Sequence, residues 1–357
     1  MKVIKLEKKK LIPFLQFISQ ERELWAPVKK NDRIIYDLIE DFTCIDMNTT
    51  RTLLPPKKVI IPQQFNMFRV TGLGYESDYS HAVKKILFGI HPCDIHGLLI
   101  LDKLFMQDHP DPYYIEARRN TLILGLSCWP DEHCFARSTN THIIREGFDL
   151  FFTDLEHSYL VWVGSSAGDD LIKLKPEFFE QKPTDQDIQD FTYMQIERDT
   201  SYKTKINFIS MPDLMELKYN ETFWEKMGRA CLGCGSCSMV CPTCNCYNVI
   251  DRHLISEETG ERRRYWDSCT LCEYSEVAEG VNFRKNCADR LRLWYTHKMQ
   301  AFISKYGKAS CVGCGRCLLT CPVDINVLTV SKSLQGKDVY AYWNRLPREA
   351  SDDKSSK

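Results

Sequence analysis

Eight of the seventeen cysteines form two runs with identical spacing. Each run reads C-x2-C-x2-C-x3-C-P, which is the ligand pattern of bacterial ferredoxins for [4Fe–4S] clusters. In that pattern three closely spaced thiolates hold one cluster, and the fourth cysteine usually binds the other cluster. The spacing therefore predicts two [4Fe–4S] clusters and one-electron chemistry. The predicted ligands are Cys231, Cys234, Cys237 and Cys241 in the first run, and Cys311, Cys314, Cys317 and Cys321 in the second.

Other uses of cysteine fit these two runs poorly. Structural zinc sites take four tetrahedral ligands, which usually come as two separated pairs. Disulfide frameworks are typical of small secreted chains, whereas this chain has 357 residues and an odd number of cysteines. We therefore interpret the thiols as iron ligands in a reducing compartment, and expect a cytoplasmic protein.

Three further cysteines lie close to the ends of predicted strands. Cys93 follows the apolar run 85–90, Cys128 follows the run 122–126, and Cys134 comes six residues after Cys128. Open α/β sheets bind ligands at the carboxyl ends of their strands, so these cysteines could hold a third [4Fe–4S] cluster. The alternative is that they are small buried side chains, as free cysteines often are. Their spacing alone leaves both interpretations open.

The elements that must position these cysteines fall into two parts. Four cysteines precede residue 220 and thirteen follow it. Mixed strand and helix patterns predict an α/β or α+β domain over residues 1–220. The expected elements are helices at 11–23, 95–105 and within 184–228, strands at 33–38, 59–62, 85–90 and 122–126, and a hairpin of 148–152 with 159–163.

The second part is predicted to be a ferredoxin-like dicluster [4Fe–4S] domain over residues 221–335. Roughly 70 residues separate Cys241 from Cys311, which is too many for a bare loop in a compact domain. A helical insert is therefore expected over 247–308, with one helix at 287–306. Residues 336–357 form a C-terminal tail, which is expected to be disordered from Ser351 onward.

Composition and missing motifs exclude several other functions. A net charge of −1 gives no broad electrostatic field for nucleic acid, and no apolar run approaches the roughly 20 residues of a membrane span. The chain has no G-x-x-x-x-G-K-[ST] loop and no convincing flavin or nicotinamide fingerprint. It also has no pair of C-x-x-C motifs, one near each end, of the kind that a nickel–iron centre would need. We therefore expect it to carry electrons and to have no catalytic residue of its own.

Beyond the cluster pattern, the chain resembles the β subunits of cytoplasmic sulfhydrogenases, the NAD(P)-linked nickel–iron hydrogenases. The resemblance covers about residues 1–335. It is carried by LWAPVK (24–29), LPPKK (54–58), FGIHPCDIHGLLILD (88–102), SCWPDEHCF (127–135), CPTCNCY (241–247), RRYWDSC (263–269), NFR (282–284) and CVGCGRC (311–317). The A subunit of anaerobic sulfite reductase is a close relative that shares the CPTC-x-CY and CVGCGRC stretches. The APVK, PPKK, CDIxGL and PDExCF segments place the chain nearer the hydrogenase branch.

The resemblance implies an electron-transfer subunit of an oxidoreductase complex. In such complexes the β subunit connects a flavin-containing NAD(P)H-oxidoreductase subunit with the small and large subunits of a nickel–iron hydrogenase. One alternative is the same relay serving a sirohaem sulfite reductase. Another is a scaffold or redox sensor whose clusters are not part of a relay.

The resemblance also bears on the third cluster. In the sulfhydrogenase pattern a further cysteine closely follows the PDExCF segment, whereas here the chain continues Ala136-Arg137-Ser138. The cluster would then depend on Cys93, Cys128 and Cys134 together with a fourth ligand from elsewhere. Cys269 is the predicted fourth ligand, with Cys246 as its substitute.

Overall fold

The computed structural model describes residues 2–72, 74–107, 109–180, 182–253 and 259–345; the tail from Ser351, expected to be disordered, lies outside them. The chain divides into two compact units. The first comprises residues up to 205 together with 239–266 and 310–316, and the second comprises 206–238, 267–309 and the described chain from 317 onward. These units take their residues from separated segments, whereas the predicted domains follow chain order. The domain boundaries at 220 and 335 stay a prediction.

The first unit contains twelve described strands in two sheets. In chain order they are β1 (Lys2–Glu7), β2 (Glu23–Lys30), β3 (Arg33–Leu38), β4 (Gln64–Thr71), β5 (Gly74–Ser77), β6 (Lys85–Ile90), β7 (Thr121–Leu126), β8 (Leu150–Asp154), β9 (Ser158–Val163), β10 (Phe179–Glu180), β11 (Tyr247–His253) and β12 (Gly260–Trp266). The large sheet has the order β10-β1-β9-β8-β7-β6-β2-β3, and the small one β11-β12-β4-β5.

The centre of the large sheet is parallel and fully buried. β6 pairs in parallel with both β2 and β7, and β7 pairs in parallel with β8. Every residue of β6 and of β7 is buried, as expected for strands that are covered on both faces. Phe88 packs into one core with α1, while Leu87 packs into a second core with α3. The helices of this unit are α1 (Lys8–Ile18), α2 (Lys57–Ile60), α3 (Pro92–Met106), α4 (Pro112–Arg119), α5 (Ser166–Leu174) and α6 (Asp185–Thr200).

The mixed α/β character predicted for the N-terminal part is confirmed, with two local errors. The helix predicted at 11–23 runs instead over Lys8–Ile18, and residue 23 begins β2. The strands predicted at 33–38, 85–90 and 122–126 and the hairpin of β8 with β9 are present. The strand predicted at 59–62 is wrong, because residues 57–60 form the short helix α2. A four-residue apolar run has no clear period, and burial of Val59 and Ile60 suits a helix as well as a strand.

The insert between the two cysteine runs is only partly helical. Its first half contributes β11 and β12, and β12 pairs with β4 of the small sheet. Its second half contains the helix predicted at 287–306, which is confirmed as α-helix from Cys287 to Thr296, a π-helical turn over His297–Ala301, and α-helix again over Phe302–Tyr306. β12 ends in Tyr265 and Trp266, and aromatic residues are enriched in strands.

The second unit is built from short helices. In chain order they are α7 (Met211–Leu217), α8 (Phe223–Ala230), α9 (Ser236–Met239), α10 (Cys287–Thr296), α11 (Phe302–Tyr306), α12 (Arg316–Thr320), α13 (Val327–Leu334) and α14 (Tyr342–Arg345), with α9 and α12 beginning or ending in the first unit. Gly228 lets α8 approach α10, since a Cβ there would lie 2.7 Å from the backbone nitrogen of Ala288. None of the described helices is long and apolar enough to cross a membrane.

Candidate metal centres

One candidate centre lies in the second unit and draws on both cysteine runs. Cys231 follows α8, Cys237 lies in α9, and Cys321 follows α12. Burial is the main cause that raises the pKa of Cys231 to about 11, and the nearby thiols of Cys234 and Cys321 add to this effect. Burial likewise raises the pKa of Cys237 to about 12. The last cysteine of the second run therefore lies beside the first three of the first run, as the ferredoxin pattern predicts.

Cys234 differs from its neighbours in this group because it is exposed. Partial burial raises its pKa, but hydrogen bonding with the Ser236 hydroxyl and with backbone groups outweighs burial and leaves the pKa lowered. Backbone amides also face the other sulfur atoms. The N–H of Gly233 donates to Sγ of Cys231 over 3.4 Å, and the N–H of Ile325 donates to Sγ of Cys321 over 3.3 Å. Such donors stabilise thiolate charge and tune cluster potentials.

A buried arginine lies close to the same group. Arg290 donates from Nη2 to Sγ of Cys287 over 2.8 Å, and Cys287 is near enough to raise the pKa of Cys231. Its remaining nitrogens donate to the carbonyl oxygens of Thr270, Arg284 and Lys285. No spacing pattern includes Cys287, so sequence reasoning does not place it here.

The remaining ferredoxin-type cysteines divide between the units. Cys241, Cys311 and Cys314 belong to the first unit. Cys314 is half-buried, and its pKa is raised by burial and by the nearby Asp94 and Cys241. Cys317 belongs to the second unit. The structure does not test these residues as ligands, and their assignment stays a prediction.

A second candidate site lies at the carboxyl edge of the parallel strands. Cys93 occupies the first turn of α3, directly after β6, and Cys128 follows β7 by two residues. Because β6 and β7 are parallel neighbours, both cysteines reach the same edge of the sheet. A cavity there, which we call the edge cavity, is lined by Cys93, Cys128, Cys134 and Cys314. The three scattered cysteines therefore line one cavity, and their role as cluster ligands stays a prediction.

The loop that carries Cys134 is held by backbone hydrogen bonds on both sides. Oδ1 of Asp131 accepts the N–H groups of His133 and Cys134, each over 2.9 Å. The N–H of Phe135 donates to the carbonyl of Gly313 over 2.9 Å. Gly313 has a φ of +64°, and a Cβ there would lie 2.6 Å from the Phe135 carbonyl oxygen. Glycine is needed at this position because the two loops touch through their backbones.

A buried ion pair lies beside the edge cavity. Arg316 donates to both carboxylate oxygens of Asp94, over 2.6 and 2.8 Å, and the two side chains are 3% and 2% exposed. Nε of Arg316 donates to the carbonyl of Thr52 over 2.9 Å. The bidentate geometry compensates part of the cost of burying both charges.

Several other polar atoms around the edge cavity have no hydrogen-bond partner among the described residues. They are Nε and Nη1 of Arg51, Nε of Arg198 and Nδ1 of His142. Arg51 and His142 line the cavity, and the charge of Arg198 reaches Cys128. A buried donor without a partner costs about 1–3 kcal/mol, so the free donors of Arg51 beside a cysteine-lined cavity fit an anionic group bound there.

The donor set of the edge cavity fits an iron–sulfur cluster better than a single ion. In the described part of the chain no three His, Cys, Asp or Glu side chains are placed to hold one metal ion. A cubane cluster is larger and separates its ligand sulfurs further. Burial raises the pKa of Cys128 to about 12 and of Cys134 to about 11, so cluster binding would release their protons.

The predicted fourth ligand of this cluster is not tested by the structure. Cys269 is buried and belongs to the second unit, while Cys246 belongs to the first unit and precedes β11. Both assignments stay predictions. Two neighbours of the edge cavity that sequence reasoning missed are His142 and Arg198, since neither lies in a recognisable motif.

Comparison with known proteins places the cysteine runs within a described family of domains. Residues 230–325 match a 4Fe-4S dicluster domain, and this range contains both runs. Over 330 residues the chain is 35% identical to sulfhydrogenase 2 subunit beta of Pyrococcus furiosus, which covers 92% of this chain and 97% of that protein.

Proposed function

Because the chain belongs to the sulfhydrogenase beta-subunit family, we propose that it relays electrons between a flavin-containing NAD(P)H-oxidoreductase subunit and a nickel–iron hydrogenase module. The membership itself makes it an iron–sulfur electron-transfer subunit of an oxidoreductase. The identity of the two partners, the NAD(P) link and a cytoplasmic location are parts of the proposal.

The observation that best supports a relay is the position of Cys314. This residue belongs to a ferredoxin-type run, and the nearby thiol of Cys241 raises its pKa. It also lines the edge cavity with Cys93 and Cys128. When bound, [4Fe–4S] clusters supply one-electron transfer. A cysteine of a ferredoxin-type run that also lines the edge cavity would bring a cluster bound by that run close to a cluster bound in the cavity, which is what stepwise electron transfer requires.

The chain contributes binding, shielding and charge to this function. Buried thiols hold the clusters, and the apolar cores around β6 and β7 keep water away from the edge cavity. Backbone N–H groups and the buried Arg290 adjust the potential of the centre in the second unit. Hydride chemistry and hydrogen chemistry are assigned to the partner subunits, so no residue of this chain is proposed to be catalytic.

The first test is the composition of the native complex. Purification without oxygen, followed by metal, cofactor and chain analysis, should find nickel, flavin and three further kinds of subunit. Sirohaem without nickel would transfer the assignment to a sulfite reductase. A chain that purifies without any redox partner would instead favour a scaffold or sensor.

The second test breaks the relay inside the complex. Cys234→Ala is expected to abolish NAD(P)H-dependent hydrogen evolution and to leave dye-linked hydrogenase activity unchanged, because dyes reach the hydrogenase without this chain. Cys44→Ala is the matched control, since Cys44 is also exposed but is no predicted ligand. Retention of NAD(P)H-dependent activity in Cys234→Ala would contradict the relay.

A further inference from the structure

The edge cavity has three cysteines to offer a cluster that needs four ligands. Cys93, Cys128 and Cys134 belong to neither ferredoxin-type run, whereas Cys314 does. Ala136 also lines the cavity, and its methyl group cannot bind iron. The fourth ligand of a cluster at this site, which is part of the function proposed above, must come from another side chain.

His142 has the geometry of a ligand. Its side chain is 9% exposed and lines the edge cavity, and in the described part of the chain its Nδ1 has no hydrogen-bond partner. On the other side of the ring, Oδ1 of Asp199 lies 3.3 Å from Nε2, close to the ring nitrogen although it accepts no hydrogen bond among the described residues. A proton on Nε2, facing this carboxylate, leaves the lone pair on Nδ1 free for iron.

The ring of His142 is also held in place. The ring of Tyr202, another lining residue, meets it edge to face with a centroid distance of 5.9 Å. Asp199 is fixed in turn by Arg137, which contacts both its carboxylate and its carbonyl. Metal-binding histidines typically pair their second nitrogen with a carboxylate in this way.

Other lining groups are committed elsewhere. Both carboxylate oxygens of Asp94 accept hydrogen bonds from Arg316. The hydroxyl of Thr141 donates to the backbone carbonyl of Val312 over 2.7 Å. Cys314 is the middle cysteine of its own C-x2-C-x2-C run and is predicted to bind the cluster of that run. Imidazole, by contrast, is an established replacement for cysteine on iron–sulfur clusters.

We propose that Nδ1 of His142 is the fourth ligand of a [4Fe–4S] cluster bound by Cys93, Cys128 and Cys134. A neutral imidazole removes one negative charge relative to a fourth thiolate, and this raises the reduction potential. This cluster would therefore be reduced before the two ferredoxin-type clusters. The positive charges of Arg51, which Asp131 partly offsets, and of Arg198 act in the same direction, and both have nitrogens without a hydrogen-bond partner among the described residues.

Pulsed EPR on the full-length chain, purified without oxygen and partly reduced, tests the assignment. The cluster that reduces first should show a hyperfine coupling to one directly bound nitrogen, and the coupling should change when only histidine is labelled with ¹⁵N. His81→Ala is the matched control. His81 is a half-buried histidine of the same unit, and its Nδ1 also has no hydrogen-bond partner among the described residues. It stacks on Phe65 and does not line the edge cavity. The coupling should persist in that variant and vanish in His142→Ala.

A compensating variant guards against simple misfolding of His142→Ala. The double variant Ala136→Cys/His142→Ala supplies a thiol at another lining position, and should regain the cluster without the nitrogen coupling and with a lower potential. Iron analysis separates the remaining outcomes. About twelve irons per chain, which means three clusters, without a nitrogen coupling would overturn the role of His142. Loss of the edge-cavity cluster in Cys269→Ser would do the same. Either outcome would leave the proposed relay unchanged. About eight irons in the unmodified chain would mean that the edge cavity binds no cluster, which overturns this inference and not the two-cluster relay.

Discussion

The two groups of cysteines in this molecule are assembled by different means. The group in the second unit takes three members, Cys231, Cys234 and Cys237, from one short run, and Cys234 is exposed. The edge cavity takes Cys93 and Cys128 from the ends of two parallel strands, where Cys93 is buried. Local spacing builds the first group, whereas sheet topology builds the second. The first should tolerate changes elsewhere in the fold better than the second.

The electrostatics of the two regions also differ. In the second unit a buried arginine, Arg290, satisfies its donors with carbonyl oxygens and with Sγ of Cys287. Beside the edge cavity, Arg316 pairs with Asp94 and Arg51 pairs with Asp131, while Nε and Nη1 of Arg51 and Nε of Arg198 have no hydrogen-bond partner among the described residues. The edge cavity therefore has cationic donors still available for an anionic group, and its structure depends more on buried charge.

The largest expected effect comes from breaking the buried ion pair of the edge cavity. Arg316→Ala leaves the Asp94 carboxylate buried without a partner, and should lower the free energy of unfolding by about 3–5 kcal/mol. Unfolding in guanidinium chloride under anaerobic conditions measures this change in the free energy of unfolding. Arg262→Ala is the control, because Arg262 forms a similar bidentate pair with Asp251 at the surface and its loss should change stability little. Equal effects of the two variants would refute the difference drawn between buried and exposed charge.

A smaller loss is expected where the two loops of the edge cavity touch. Gly313→Ala combines a left-handed φ with a Cβ that meets the Phe135 carbonyl, and should cost about 2–4 kcal/mol. Gly307→Ala in the second unit has a similar φ of +68° but meets no described atom within 4 Å, so only about 1 kcal/mol is expected. Thermal unfolding of both variants makes the comparison. Similar losses would show that backbone strain alone explains the effect.

Removal of iron should distinguish the two regions kinetically. A chelator added with mild oxidant should strip the centre at Cys234 first, since that thiol is exposed. The edge cavity must open locally before attack, and each 1.4 kcal/mol of opening slows the loss by about tenfold. EPR signals followed over time, and assigned with Cys234→Ala and Cys128→Ala, give the two rates. Simultaneous loss would mean that burial does not protect the edge cavity.

The smallest effect concerns the charge of Arg290. Arg290→Gln should lower the potential of the nearby cluster by about 40 mV, which corresponds to about 1 kcal/mol, because a positive charge favours the reduced form. Arg290→Lys keeps the charge and should restore most of the potential. A redox titration followed by EPR measures both. The signal assigned to the edge cavity should not move, and a shift there would contradict a local effect.

Much of the candidate ligand set was readable in the sequence because local spacing carries it. A C-x2-C-x2-C run can hold a cluster wherever it folds, so its interpretation needs no knowledge of the fold. Strand signals at 85–90 and 122–126 also predicted the edge where Cys93 and Cys128 meet. The hairpin of β11 and β12 escaped prediction because long-range pairing with β4 determines it.

The sequence by itself determined the cluster chemistry, the mixed α/β character and the family of this protein. The tertiary structure alone revealed that Cys314 borders the edge cavity, that Arg316 pairs with Asp94, and that Nδ1 of His142 has no hydrogen-bond partner in the described parts of the chain. Arg316 and Asp94 are 222 residues apart, and their pairing has no local signature. Spacing encodes contacts that the chain makes with its own neighbourhood, whereas burial and charge pairing depend on which distant segments fold together.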